Sequence, residues 1–336
     1  MAENTNPHSH SINEHFVRPI PFKAHKISGF TPEMLERYYE EAYGGSVRSL
    51  NDIEAKIADA RKAGPAKSDL ISLVAQQAEL VDLIVLQELF LAGLAEECGE
   101  DIEDGDLKQA LIEGFGSVSN WHAEFTMMAA SRKNAPDWDA PEWIALAWSE
   151  RFGRLQNVAS NDGRLVLCGS VPILAVDLRP HTYSPVFGDD QASYVQTYLK
   201  NIHWGRVTQA LEATFRPSGR SEEEPEGVDQ ISVAELRDLM ENDKSAPLVL
   251  DIRHDDDCER YRSRIADTDW RDSFKVAEWV EEIPRDRPVI VYCMYGFWVS
   301  QKVAEELRLE GIDAYSLEGG VTAWRAMRLP SSNYEI

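Results

Sequence analysis

Two short stretches hold residue types at spacings that could do chemistry. "AVDLRPHTY", residues 175–183, ends an apolar run on Asp177 and sets His181 four residues on. A carboxylate and an imidazole so placed can share a metal ion or hydrogen-bond to each other. "PVIVYCMYGFWVSQKVAEELR", residues 288–308, puts Cys293 at the end of a strand-like run, before a short loop containing Gly296 and then a helical pattern. A thiol cupped by loop N–H groups at a helix N-terminus meets donor dipoles that stabilise a thiolate or a persulfide anion. Cys293 is therefore read as a nucleophile able to accept a sulfane sulfur and pass it on.

The remaining cysteines and histidines offer less. Cys98, Cys168 and Cys258 stand far from one another and from Cys293, without C-x-x-C spacing, so cysteine chemistry comes from one thiol at a time. Cys258 is a resolving thiol if its segment folds over the loop, and otherwise a surface residue. His8, His10 and His15 lie in a polar N-terminus that either captures a transition metal loosely or is only solvated. His122 beside Trp121 and His203 beside Trp204 read as packed or half-exposed helix residues, and His25 lies too near the entry segment to be assigned.

The elements that must position these residues fall into two groups. Residues 31–63 and 68–97 carry apolar residues at helical spacing with Thr31 and Ser68 placed as N-caps, which predicts two long helices packed as a hairpin. Residues 143–160 and 163–178 are β-rich runs broken by turns, and residues 189–215 return to helical spacing. That order predicts an α+β domain with a small antiparallel sheet. "RPSGRSEEEPEGVDQ", residues 216–230, reads as a linker. Beyond it strands and helices alternate, predicting an α/β domain with a parallel sheet, whose active residues belong at the carboxyl ends of strands. The expected division is a flexible N-terminus over 1–24, a first domain over 25–216, a linker over 217–228 and a second domain over 229–336.

Composition narrows the function classes. At 336 residues the chain exceeds a single typical domain of about 100–150 residues. A formal charge of −24 repels phosphate backbones and anionic lipids, so neither nucleic acid nor membrane is an expected partner. No apolar run approaches the length of about 20 residues needed for a membrane span, and the start lacks a basic-then-apolar signal. A cytoplasmic location is expected.

Across roughly residues 25–216 the order of two helices, a small sheet, an Asp and His pair and further helices resembles the iron/manganese superoxide dismutase family. The family's D-x-W-E-H-x-x-Y signature reads here Asp177, Leu178, Arg179, Pro180, His181, Thr182, Tyr183; "SVRSLN" is similar to its Y-V-x-x-L-N and "LQELFL" to its N-H-x-x-F-W. The resemblance implies a shell of three His and one Asp, of which two His positions fall on Tyr38 and Gln87. The tyrosine guarding access falls on Ser46 and an outer amide on Asn161. Asp177 and His181 are then a weak or vestigial site, holding iron or manganese at low occupancy or surviving as a buried hydrogen-bonded pair, with little superoxide dismutation. The family's cross-subunit contacts fall on Pro180, Ala42 and Ser184, so the family dimer is expected to be absent or built differently, and self-association through another surface stays open.

Residues 229–330 resemble the rhodanese family, through "VLDIR" (249–253), the Cys293 loop and "LEGGVTAW" (317–324). The resemblance implies sulfur transfer without a required cofactor. Thiosulfate-using members carry Arg or Lys in the loop, whereas Met294, Tyr295, Gly296, Phe297 and Trp298 bring no charge, which favours a less anionic or protein-bound donor. Arg262 or Arg264 is expected to bring positive charge near the loop. The partners implied are a small sulfane-sulfur donor or a thiol acceptor protein. Three functions are compatible with these residues: sulfur transfer or thiol redox chemistry at Cys293, a superoxide dismutase with a rebuilt shell, and a non-catalytic metal-binding or interaction protein.

Overall fold

The structure, a computed structural model, describes residues 14–63, 70–96, 102–130, 140–160, 169–215, 229–241 and 246–333. The expectations for His8, His10, Ser68, Cys98, Asn161, Cys168 and the linker over 217–228 lie outside the described residues.

The first long helical pattern is broken where its chemistry changes. Thr31 accepts the Met34 N–H and Pro32 opens α1 (Pro32–Arg37). The "YYEEAY" stretch then widens into a π-helical turn, Tyr38–Tyr43, which turns Tyr38, Tyr39 and Tyr43 inward before α2 (Gly44–Ala63) resumes. α2 packs along α3 (Leu70–Ala92) as the expected hairpin. By length and composition α3 is apolar enough to cross a membrane, which corrects the expectation that no run reaches that length. Glu79 and Asp82 interrupt it.

Between hairpin and sheet lie α4 (Asp106–Phe115) and α5 (Val118–Ala130), to which the sequence reading gave no element. Leu107, Leu111 and Phe115 recur at helical spacing, so the signal was present. β1 (Trp143–Ser149), β2 (Arg154–Ser160) and β3 (Ser170–Asp177) form an antiparallel three-stranded sheet in the order β2-β1-β3. Asp177 ends β3 opposite Trp143. α6 (Pro180–Phe187), α7 (Gln191–Lys200) and α8 (Trp204–Thr214) complete this domain.

In the second domain Ser232 and Glu235 cap each other reciprocally at the start of α9 (Val233–Glu241). The strands β4 (Gln230–Ile231), β5 (Leu248–Asp251), β7 (Asp269–Trp270), β8 (Val289–Tyr292) and β9 (Ala314–Leu317) pair in parallel in the order β4-β9-β8-β5-β7. α10 (Asp255–Arg260), α11 (Val276–Trp279), α12 (Trp298–Leu309) and α13 (Gly320–Ala326) supply the helical layers. β6 (Ser263–Ile265) pairs antiparallel with β10 (Ser331–Asn333) outside the main sheet. Cys293 directly succeeds the central strand β8 at its carboxyl end.

The N-terminal segment expected to be flexible over 1–24 is, from residue 14, packed against both domains. Val17, Ile20 and Phe22 are buried in a core cluster that continues through Tyr38 and Trp143 to Met294 and Trp324. Glu14 pairs with Arg237 of α9. His15, expected in a mobile tail, donates its N–H to Asn51 Oδ1 (2.8 Å) and brings its ring to Glu54 (3.0 Å) on α2.

Candidate functional sites at Asp177 and Cys293

β3 drives Asp177 into the core, where it is fully buried. Its carboxylate is taken up locally. The Arg179 guanidinium reaches both oxygens, Nε to Oδ1 at 3.0 Å and Nη2 to Oδ2 at 2.5 Å, and the Arg179 N–H donates to Oδ1 at 2.9 Å. Tyr38, from the π-turn, donates its hydroxyl to Oδ2 at 3.0 Å. Burial works against the charge on Arg179, but hydrogen bonding and charge from Asp177 outweigh it and raise the guanidinium pKa above its ordinary value. The Trp143 ring lies under the guanidinium at 5.1 Å. Burial, then the Asp177 charge, push the Tyr38 hydroxyl well above the ordinary tyrosine range, so it stays a donor.

The surroundings are packed with rings. Tyr38 meets Phe90 at 4.8 Å between centroids, and Phe90 stacks on Tyr198 at 5.3 Å. Gln87 is buried, and its Oε1 has no partner among the described residues. His181 does not join Asp177: it is exposed beside a separate cavity of about 520 Å³ with Arg37, Tyr38 and Glu41. The expected buried Asp177 and His181 pair is thus replaced by an Asp177, Arg179 and Tyr38 cluster. The physical reason is proximity, because an arginine two residues along reaches the carboxylate while α6 carries His181 outward. Partial burial of the ring, then the Arg179 charge, hold His181 below the ordinary histidine pKa.

Iron or manganese does not fit these residues. Both oxygens of Asp177 already bind a cation, and among the described residues no three His, Cys, Asp or Glu side chains gather as a metal site. Ser46 donates its hydroxyl to the Ala42 carbonyl at the start of α2, while Pro180 and Ser184 are exposed on α6.

Cys293 is buried, and its Sγ lies 3.3 Å from Ser300 Oγ on α12. The loop is held by its carbonyls. Val321 N–H donates to Cys293 O (3.0 Å), Thr322 N–H and Oγ1 to Met294 O (3.1 and 2.7 Å), and the Gln230 and Gln301 amides to Gly296 O (both 3.1 Å). Gly296 sits at φ +75°, and a Cβ there would meet Gly319 N and Leu317 O at 2.6 Å. At Gly320 (φ +55°) a Cβ would stand 2.4 Å from the Cys293 carbonyl oxygen.

A cavity of about 360 Å³ opens over Cys293 and is lined by Met294, Tyr295, Phe297 and Trp298, with Lys23 and His25 from the other domain. Arg264 is not among its lining residues: its guanidinium donates to Thr268 O and Ser332 Oγ beside β6. Arg262 does not line it either, so the positive charge expected from that segment is supplied by the N-terminal domain. Cys258, half-buried on α10, is not a lining residue.

A row of acidic side chains that sequence reasoning missed ties the first domain to the second. Glu33, Glu36 and Glu40 run along one side of α1 and the π-turn. Glu33 pairs with Arg260, Glu36 accepts from the Tyr261 and Tyr295 hydroxyls (the latter at 2.8 Å), and Glu40 accepts from Arg325 at 3.1 Å. The spacing of three and four residues is a legible one-sided helical pattern, and only its partner was hidden.

Two family comparisons bear on these sites. The sequence model for the C-terminal domain of iron/manganese superoxide dismutases matches residues 103–210, and that for the rhodanese-like domain matches residues 232–327. An iron superoxide dismutase of Cupriavidus metallidurans is 32% identical over 200 residues, which cover 60% of this chain and 98% of that protein. A manganese superoxide dismutase of Halobacterium salinarum is 28% identical over 203 residues, covering 60% and 96%. For an iron superoxide dismutase of Aquifex aeolicus the identity is 25% over 210 residues, covering 60% and 94%.

Proposed function

The chain belongs to the iron/manganese superoxide dismutase family through its N-terminal domain and carries a rhodanese-like domain behind it, and from that premise we propose that its chemistry is sulfur transfer at Cys293, with the N-terminal domain as scaffold. The observation that carries this reading is the position of Cys293 at the carboxyl end of β8 and ahead of α12, with its Sγ 3.3 Å from Ser300 Oγ beside a cavity of about 360 Å³. A thiol ahead of a helix N-terminus suits an anionic sulfur better than a neutral one. Ser300 Oγ is placed to hydrogen-bond to it. Cys293 would take a sulfane sulfur from a donor and yield it to an acceptor thiol, with no cofactor. The expected cytoplasmic location accords with a single thiol that must stay reduced to act.

Metal chemistry has no part in this reading, because Asp177 is committed to Arg179 and Tyr38. The test is persulfide formation on the full chain, read by intact-mass spectrometry after incubation with sulfane donors. One added sulfur is expected on the wild type and none on Cys293→Ser. Absence of added sulfur from every donor, with Cys293 alkylated no faster than the other cysteines, would remove the proposal.

A further inference from the structure

The cavity over Cys293 has an uncharged floor and a charged rim, and the rim is assembled from both domains. Lys23 and His25 reach it from the N-terminal domain, and Asp256 and Asp257 from α10. Lys23 is held there through its backbone, whose N–H donates to Glu96 Oε1 at 2.7 Å, and its ammonium makes no ion pair among the described residues. Arg253 also lines the cavity, but its guanidinium is bound to Asp251 and to the Tyr261 carbonyl. The polar groups offered to a ligand are therefore the Lys23 ammonium and the His25 ring from one domain, and the Asp256 and Asp257 carboxylates with the His254 ring, which stacks on Phe274 at 4.9 Å, from the other.

That pattern discriminates among sulfur donors. A dianion such as thiosulfate meets Lys23 but is opposed by Asp256 and Asp257. A donor without charge uses neither group. A small molecule carrying one carboxylate and one ammonium uses both, and a cavity of about 360 Å³ lies at the low end of the roughly 300–1,000 Å³ common for small-ligand sites. We propose that this rim selects a zwitterionic hydropersulfide, an α-amino acid bearing S–SH, with its carboxylate toward Lys23 and His25 and its ammonium toward Asp256 and Asp257. This rests on the sulfur-transfer reading and names its donor.

The step balances without a further reagent. The Cys293 thiolate attacks the terminal sulfur of R–S–SH, a Cys293 Sγ–S bond forms, and the R–S bond to that sulfur breaks. R–S⁻ leaves with the electron pair, and the terminal proton stays on the transferred sulfur, so that Cys293 carries Sγ–SH. No net oxidation occurs.

The experiment compares two probes on the full chain, cysteine hydropersulfide and the hydropersulfide of N-acetylcysteine methyl ester, which lacks both charges. Rates of sulfur loading on Cys293 are read by mass spectrometry and expressed as the ratio of the first probe to the second. The wild type is expected to favour the zwitterion by about tenfold or more, as one charge-assisted contact at a partly exposed site provides. Lys23→Ala with His25→Ala, and separately Asp256→Asn with Asp257→Asn, should each lower that ratio by about tenfold. A wild-type ratio near one, or a ratio that neither double variant moves, overturns the donor assignment while Cys293 still loads sulfur. Loading from neither probe overturns the sulfur-transfer reading along with it.

Discussion

Asp177 and Asp251 end strands in unrelated domains, and each is clamped by the arginine two residues on. In both, the Arg N–H donates to Oδ1, at 2.9 and 3.1 Å, and Nη2 to Oδ2, at 2.5 and 2.6 Å. Both guanidinium pKa values are raised, because hydrogen bonds and charge from the paired Asp outweigh burial. In the second domain the clamp fixes the strand end beside the Cys293 loop, and in the first it takes the place where a metal would need the carboxylate. Arg179→Met should therefore destabilise the chain by about 3–5 kcal/mol in denaturant unfolding, the cost of stranding a buried charge. A loss below about 1 kcal/mol would mean that Asp177 is solvated in the fold. The protein purified without a metal-affinity tag should hold well under one iron or manganese per chain by elemental analysis, and stoichiometric metal would overturn the placement of Arg179. From the sequence, the expectation that Tyr38 and Gln87 stand where the family has imidazoles was readable through the resemblance alone. The Arg179 clamp was not, although Arg179 stands in the quoted motif, because attention to Asp and His as ligands hides a cation that satisfies the carboxylate directly.

At the scale of elements, the segment from α1 through the π-turn links both sites. Tyr38 faces Asp177, whereas Glu36, two residues earlier, takes the hydroxyl of Tyr295 in the Cys293 loop. Helical periodicity over residues 31–63 was legible, but the π-turn was not: a single inserted residue leaves the apolar pattern nearly unchanged while rotating every later side chain about the helix axis. The parallel sheet and its loop were legible because β5, β8 and β9 end in short motifs of unusual composition. Where Lys23 and His25 would land was not, since no local pattern encodes a contact between domains. Glu36→Ala leaves two tyrosine hydroxyls, those of Tyr261 and Tyr295, without their acceptor, and the expected loss is about 2–4 kcal/mol, from two bonds to a charged group. Because Tyr295 is in the loop, Cys293 alkylation in the folded variant should also change rate; unchanged stability and unchanged alkylation together would show that this link is not formed in solution. Gly320→Ala should slow sulfur loading at Cys293 and lower the unfolding midpoint, since its Cβ would have to displace the Cys293 carbonyl at 2.4 Å.

Across the whole molecule, one core cluster runs from the N-terminal segment through both domains, beside a second cluster, from Leu250 to Ala314, within the C-terminal one. A single cooperative unfolding transition by fluorescence and far-UV circular dichroism is the expected consequence. Its pH dependence is set by the buried tyrosines. Burial is the leading cause that raises the pKa of Tyr38, Tyr194, Tyr198 and Tyr292 above the ordinary value. In the unfolded chain these groups ionise near pH 10, whereas the folded chain keeps them protonated, so above that point unfolding releases protons. A raised folded pKa gives stability that is fully present below the unfolded pKa and is lost as pH rises toward the folded one. The denaturant midpoint should therefore be insensitive to tyrosine ionisation up to about pH 9 and fall above about pH 10, each buried tyrosine adding up to about 1.4 kcal/mol per pH unit. Tyr198→Phe, which removes a hydroxyl bonded to the Ala175 carbonyl at 2.6 Å, should lower stability at pH 8 yet make the alkaline slope shallower. An alkaline slope unchanged in that variant would show that Tyr198 ionises as readily in the folded chain as in the unfolded one, and that the ring-packed interior around Asp177 admits water.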